Sequence, residues 1–256
     1  MVKETSIVTA EQFIRYVVRS KGLRLKDVKV EEVVVLDFSV GRRLTELMKN
    51  ATGAKRVKKS IYPDDLFIGR AGDTRATIFR AKGFGAPVAA AFAEELIACG
   101  ARKFLLLGAG GSLQPWLKVG DYVIPTEAIP DDGVSRHYLS GGAKARASKG
   151  MVNALEEACR ENRVDYQKGA VWTTSAPFRE LRSKVGRLQV EGVLAVEMEA
   201  AAVFAVAAFR KVEAGAFLCI SDELAGPRWK PRFYSKKLQA AERKLVDVAV
   251  DAIQRF

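Results

Sequence analysis

From Val33 onward the chain alternates short, β-branched apolar runs with stretches of helical periodicity, and this alternation narrows its possible folds more than any other feature. VVVLDF, Val33 to Phe38, reads as a buried strand, and RRLTELMKN after it reads as a helix with Leu44, Leu47 and Met48 turned inward. Between Asp65 and Arg80, GRAGDTR supplies the Gly and Asp of a hairpin bend. APVAAAFAEELIACG has the small apolar residues of a buried helix, stopped by Gly100. KFLLLG, YVIP, AVWTT and AGAFLCISD read as further buried strands, and MVNALEEACREN as a helix among them. EMEAAAVFAVAAFRKV is apolar nearly all round and belongs in the interior. Leu238, Ala241, Leu245, Val248, Ala252 and Ile253 recur at helical spacing and predict a C-terminal amphipathic helix. The order predicts an α/β fold, a mixed or mostly parallel sheet covered by helices, formed as one domain over residues 1–256. The stretch Ser140 to Gly150 reads as a flexible loop too short to separate domains.

A 256-residue chain with 48% hydrophobic and 28% charged residues can bury a core large enough to offset its chain entropy. Cys99, Cys159 and Cys219 stand far apart in apolar surroundings, which predicts neither disulfides nor zinc and fits a reducing cytoplasm. No run approaches the roughly 18 apolar residues of a membrane span, and the first residues lack the apolar core of a signal peptide. The expectation is a soluble protein with no membrane partner. A net charge of +12 would suit nucleic acid, yet the basic residues fall in short scattered clusters without interleaved aromatics. That pattern points away from nucleic acid and toward a surface that attracts small anions. With one histidine and no ligand spacing, neither a metal nor an organic cofactor is expected.

GAGGSLQPWLKVGDYVIP, Gly108 to Pro125, follows the buried KFLLL run and reads as a Gly-rich loop where backbone N–H groups can approach an anion. It lacks the Lys-Ser/Thr of a P-loop and the G-x-G-x-x-G spacing of a dinucleotide site. Its continuation is more specific. With AIPDDGVSRHYL, which holds His137, VLAVEMEAAAVFAVA (Val193 to Ala207) and FLCISDEL (Phe217 to Leu224), the chain resembles the nucleoside phosphorylases, the family of uridine and purine phosphorylase, from about Gly83 to Leu224. The resemblance implies a mixed sheet or distorted barrel and a homo-oligomer built from dimers, as large as a hexamer. It also implies cleavage of a nucleoside to free base and ribose 1-phosphate, with inorganic phosphate as co-substrate.

Breaking an N-glycosidic bond builds positive charge on the sugar and negative charge on the base, so the site must hold hydroxyls and protonate or hydrogen-bond the leaving group. The resemblance assigns the ribose to Glu197, Met198 and Glu199, with Glu199 on the 2′ and 3′ hydroxyls, and gives Asp222 the proton for the base. Glu199 and Asp222 are thus the expected catalytic pair. The alternative is that the carboxylates of Glu197 and Glu199 cap the helix that follows. VWTTSAPFRE matches the base-lining segment, with Phe178 to stack on the base. Arg179 stands in for the Gln-x-Arg pair with which uridine phosphorylases read uracil, so uracil and purine both stay open. At the family's phosphate-holding positions the chain carries Leu36, Val40 and Leu106, and no arginine lies around Pro63. Gly110, Arg42 and Arg43 are the candidate replacements, the arginines following a Ser-x-Gly turn at a helix start, with Arg70 and Arg75 as further sources of charge. Three readings follow: a phosphorylase with a rebuilt phosphate site; a nucleosidase using water, for which the first loop offers only Asp37; and a nucleoside-binding protein without catalysis.

Overall fold

The computed structural model describes residues 6–39, 41, 43–62, 65–140 and 143–256. Helix α1 (Ala10–Ser20) precedes β1 (Val33–Asp37), α2 (Arg43–Thr52) and the short β2 (Lys55–Arg56). The hairpin β3 (Leu66–Ala71) and β4 (Thr74–Arg80) leads to α3 (Ala86–Ala98), β5 (Lys103–Ser112) and β6 (Tyr122–Asp131). After the two-residue β7 (Ala145–Arg146) come α4 (Lys149–Glu161), β8 (Tyr166–Thr174), α5 (Arg182–Val190) and β9 (Ala195–Glu197). The chain ends in α6 (Ala200–Arg210), β10 (Glu213–Glu223), β11 (Lys230–Pro231) and α7 (Lys236–Ile253).

The strands form one mixed sheet that closes on itself. β5 pairs in parallel with β1 through Lys103–Leu107 and with β10 on its other side, then takes β9 as an antiparallel neighbour at Gly111 and Ser112. β9 pairs with β8, β8 with β6, and β6 with β10, so the ring β5–β10–β6–β8–β9 is complete. β1, β4, β3 and β2 extend from it as a wing. A strand buried on both faces has no reason to alternate polar with apolar residues. β1 accordingly reads VVVLD and is buried throughout.

The architecture is the expected α/β mixed sheet with a distorted barrel, and three local expectations are corrected. The glycines Gly108, Gly110 and Gly111 lie inside β5, not in a loop after it. A Cβ at Gly110 would come 2.9 Å from the Val196 carbonyl oxygen, and one at Gly111 would come 2.4 Å from Leu224 Cδ1. These glycines let β5 change neighbours from β1 to β9 without a clash. The supposed flexible loop holds β7, which pairs with β6 at Glu127 and Ala128. Helix α1 escaped the periodicity argument, although Thr9 and Gln12 form a reciprocal capping box there and Ile14 and Val18 are buried.

The Ala-rich α6 is buried from Ala200 to Ala207 and packs against the Ala-rich face of α3. Small side chains on both helices allow a close approach. Among the described residues no helix is long and apolar enough to cross a membrane.

Candidate active site

The strand register gathers the acidic residues of interest at one end of the barrel. Gly111 lies opposite Val196 on one side and Asp222 on the other, while Thr173 lies opposite Glu197. Glu199 follows β9 directly, and Asp222 sits one residue past a bulge in β10. Asp222 therefore borders Gly111, and the strand that leads into Glu199 borders it from the other side, at the carboxyl end of β5, where open α/β sheets place their ligands.

Glu197 and Glu199 have different neighbours. The carboxylate of Glu197 is buried and accepts from the backbone N–H of Glu199 (2.8 Å), the N–H of Ala200 (2.6 Å) and the Thr173 hydroxyl. The Thr173 oxygen in turn accepts from Ala201 N–H at 2.9 Å. These contacts make Glu197 the cap of α6, with carboxylate charge at the positive end of the helix. Burial pushes the Glu197 pKa up, and these donors pull it part of the way back.

Glu199 is half-buried and accepts from Gly85 N–H at 2.5 Å, across the turn that starts α3. Burial first, and the neighbouring Glu197 second, push its pKa up to about 8; the donors Gly85 and Met198 N–H pull the other way. The Met198 methyl reaches to 4.0 Å from the Cβ position of Gly85, whose φ of +93° suits glycine. Met198 and Glu199 thus face the Gly83–Gly85 turn together.

Asp222 is 8% exposed. It accepts from the Ser221 hydroxyl and from Trp229 Nε1, each at 2.7 Å. Glu180 stands close enough to feel its charge: burial, then Asp222, push Glu180 up to about 7. Arg182 donates to the Pro227 carbonyl at 2.6 Å and ties the segment that carries Glu180 to the segment that carries Trp229.

Several expected residues are not brought to this end. Phe178 is 99% exposed and Arg179 is exposed beside it, on a 3₁₀ turn facing solvent, so neither lines the site in this chain. Arg43 is bound to α7, through an ion pair to Glu242 at 2.5 Å and a bond to the Gln239 carbonyl. Arg42 and Val40 lie outside the described residues. Gly110 contributes its carbonyl to the Ser221 hydroxyl and packs under β9. Arg70 and Arg75 pair with Asp73 and Glu31 at the far end of the hairpin, and His137 is exposed.

Asp37 is buried and accepts four bonds, from the N–H and hydroxyl of both Ser39 and Thr45. Burial pushes its pKa up despite those donors. Its oxygens organise the first loop and the start of α2. Sequence reasoning did not single out Thr173, Gly85, Glu180 or Trp229. Thr173 and Glu180 sit within the VWTTSAPFRE segment that was assigned to the base, whereas nothing around Trp229 forms a recognisable pattern.

Comparison with known proteins gives the family and the fold. The profile of the phosphorylase superfamily matches residues 32–254. A guanosine phosphorylase of Halorubrum lacusprofundi is 33% identical over 148 residues, 58% of this chain and 61% of that protein. A DeoD-type purine nucleoside phosphorylase of Vibrio cholerae is 28% identical over 173 residues, 67% of this chain and 70% of its own length. The chain thus spans between three fifths and three quarters of the length of these curated relatives. The crystal structure of a uridine phosphorylase from Vibrio fischeri superposes with a TM-score of 0.76 at 21% identity, over 91% of this chain and 95% of that one, and so shares its fold. With a profile match over most of its length and a closed mixed barrel shared with a solved phosphorylase, the chain belongs to the phosphorylase superfamily.

Proposed function

We propose that the chain cleaves the N-glycosidic bond of a purine ribonucleoside by phosphorolysis, releasing the free base and ribose 1-phosphate. The observation that carries this reading is that β9, which leads into Glu199, and β10, which carries Asp222, flank β5 on either side of Gly111 at the carboxyl end of the barrel. Glu199 accepts from Gly85 and keeps acceptor capacity for the ribose 2′ and 3′ hydroxyls. A phosphate oxygen attacks C1′, the bond to the base breaks with its electron pair moving to the base, and the base nitrogen takes a proton through Asp222. Glu180, brought to about 7 beside Asp222, is a source of that proton near neutral pH. The purine assignment is supported by the guanosine and purine nucleoside phosphorylases among the relatives and by the missing Gln-x-Arg pair.

Hydrolysis is disfavoured by Asp37: the carboxylate of the first loop is consumed by four internal bonds and cannot activate water. We read the protein as a cytoplasmic, dimer-based homo-oligomer of nucleoside salvage, with inorganic phosphate as its co-substrate. The free, buried cysteines and exposed apolar side chains such as Phe13, Tyr16 and Phe209 support that reading. The test is incubation with a panel of nucleosides, with and without inorganic phosphate, and identification of the sugar product. Ribose 1-phosphate formed only with phosphate is the expected result; free ribose released at the same rate in both buffers would overturn it.

A further inference from the structure

Phosphorolysis needs an anion next to C1′, yet Leu36, Val40 and Leu106 stand at the positions where the family resemblance puts its phosphate ligands, and Arg43 is tied to α7. Resting on the reading above, we propose that the phosphate is held by Arg80 and Lys82, in the groove between the loop after β1 and the turn that leads into α3. The strand register puts these cations at the right end of the sheet. Arg80 lies opposite Asp37 at the carboxyl end of β1, and Ala81 N–H continues the pairing onto the Asp37 carbonyl at 2.9 Å. Arg70 and Arg75, by contrast, sit at the opposite end of the same hairpin.

Beside them is a cavity of about 330 Å³ that runs from Phe38, Ser39 and Gly41 on one wall to Arg80, Lys82 and Phe84 on the other. The second wall continues directly into Gly85, the donor to Glu199. A phosphate in the groove and a ribose on Glu199 would therefore share the Gly83–Gly85 turn, as attack on C1′ requires.

The charges suit an anion. Arg80 and Lys82 both pair with Asp65, Lys82 at 3.0 Å, and Arg80 N–H donates to the Asp65 carbonyl at 2.9 Å. Two cations on one carboxylate leave an excess of one positive charge. Asp65 is buried and holds the guanidinium in place, while the Lys82 side chain is 68% exposed and free to turn toward an incoming anion. Gly83, with φ +111°, lets the backbone turn close to the groove where a side chain would be strained.

The test compares the wild type with Lys82→Met, Lys82→Arg and Arg80→Lys, the last chosen because it keeps a charge against Asp65. Calorimetric titration with inorganic phosphate alone reads the site directly, and steady-state kinetics read the KM for phosphate apart from the KM for nucleoside. Lys82→Met is expected to weaken phosphate binding and raise its KM by about 10-fold or more, with the nucleoside KM within about twofold of wild type and Lys82→Arg restoring most of the loss. If phosphorolysis proceeds with an unchanged phosphate KM in Lys82→Met and Arg80→Lys, the groove is wrong and the reaction stands. If the wild type shows no phosphorolysis but binds phosphate in a Lys82-dependent way, the groove stands and the reaction is wrong. Phosphate binding that is absent from the wild type, or equal in the variants, overturns the site.

Discussion

Two glutamates separated by one residue behave as different chemical groups because their donors differ. Glu197 is surrounded by the N–H groups of Glu199 and Ala200 at the start of α6 and the Thr173 hydroxyl and serves the fold; Glu199 meets fewer donors, Gly85 first among them, and burial pushes its pKa up to about 8. A carboxyl whose native pKa lies above its unfolded value of 4.5 binds a proton in the native state that the unfolded chain has lost, so stability falls as pH rises from about 4.5 through 8. Glu180, brought to about 7, contributes in the same direction over the lower part of that window. The Glu199→Gln variant keeps an acceptor for Gly85 but cannot ionise. Its thermal midpoint is expected to fall less than that of the wild type between pH 5 and 8.5, and to exceed it at the alkaline end by several degrees. Identical slopes for the two proteins would show that Glu199 is not held protonated by its surroundings. At this scale the sequence was only half informative: the Glu-Met-Glu pattern named two candidate carboxylates, but which of them caps the helix depends on the Thr173 strand packing beside it.

At the level of elements, the Gly-rich segment differs most from what its sequence suggests: it continues β5 where a loop is expected. A run such as GAGGS following a buried strand resembles a ligand-binding loop, since the features that free a backbone for a turn also permit a crowded strand crossing. The choice is made by β9, which contacts β5 from a stretch more than eighty residues away in sequence and therefore leaves no local mark. Substitution Gly110→Ala puts a methyl against the Val196 carbonyl and forces β9 outward. The expected cost is roughly 1–3 kcal/mol, read as a lower midpoint in chemical denaturation, with a loss of activity greater than the loss of folded protein because β9 leads into Glu199. A variant as stable as wild type would mean that β5 and β9 are not packed so closely. The buried helices and strands, in contrast, were legible from their apolar runs. The exposed Phe178 shows the limit of a motif, which names a residue type at a position but not the face it takes when α5 and the loop before it settle.

On the scale of the whole molecule, the chain order of the elements was enough to predict an α/β mixed sheet, because runs buried on both faces must be covered by the helices between them. The closure of the sheet was implied only by the family resemblance and not by the chain order, since it depends on β10 pairing with both β5 and β6. That closure is what gives the two acids a common address: Glu199 arrives from β9 and Asp222 from β10, on opposite sides of β5. Their immediate neighbours are nonetheless separate, Gly85 for one and Ser221 with Trp229 for the other, so a ligand has to bridge them. The most direct measurement is a crystal structure of the protein with a purine ribonucleoside bound. The ribose 2′ and 3′ hydroxyls should lie within hydrogen-bonding distance of the Glu199 carboxylate, with the base turned toward Asp222. A nucleoside seated elsewhere, or one whose sugar hydroxyls meet other groups while Asp222 keeps only Ser221 and Trp229, would contradict the account.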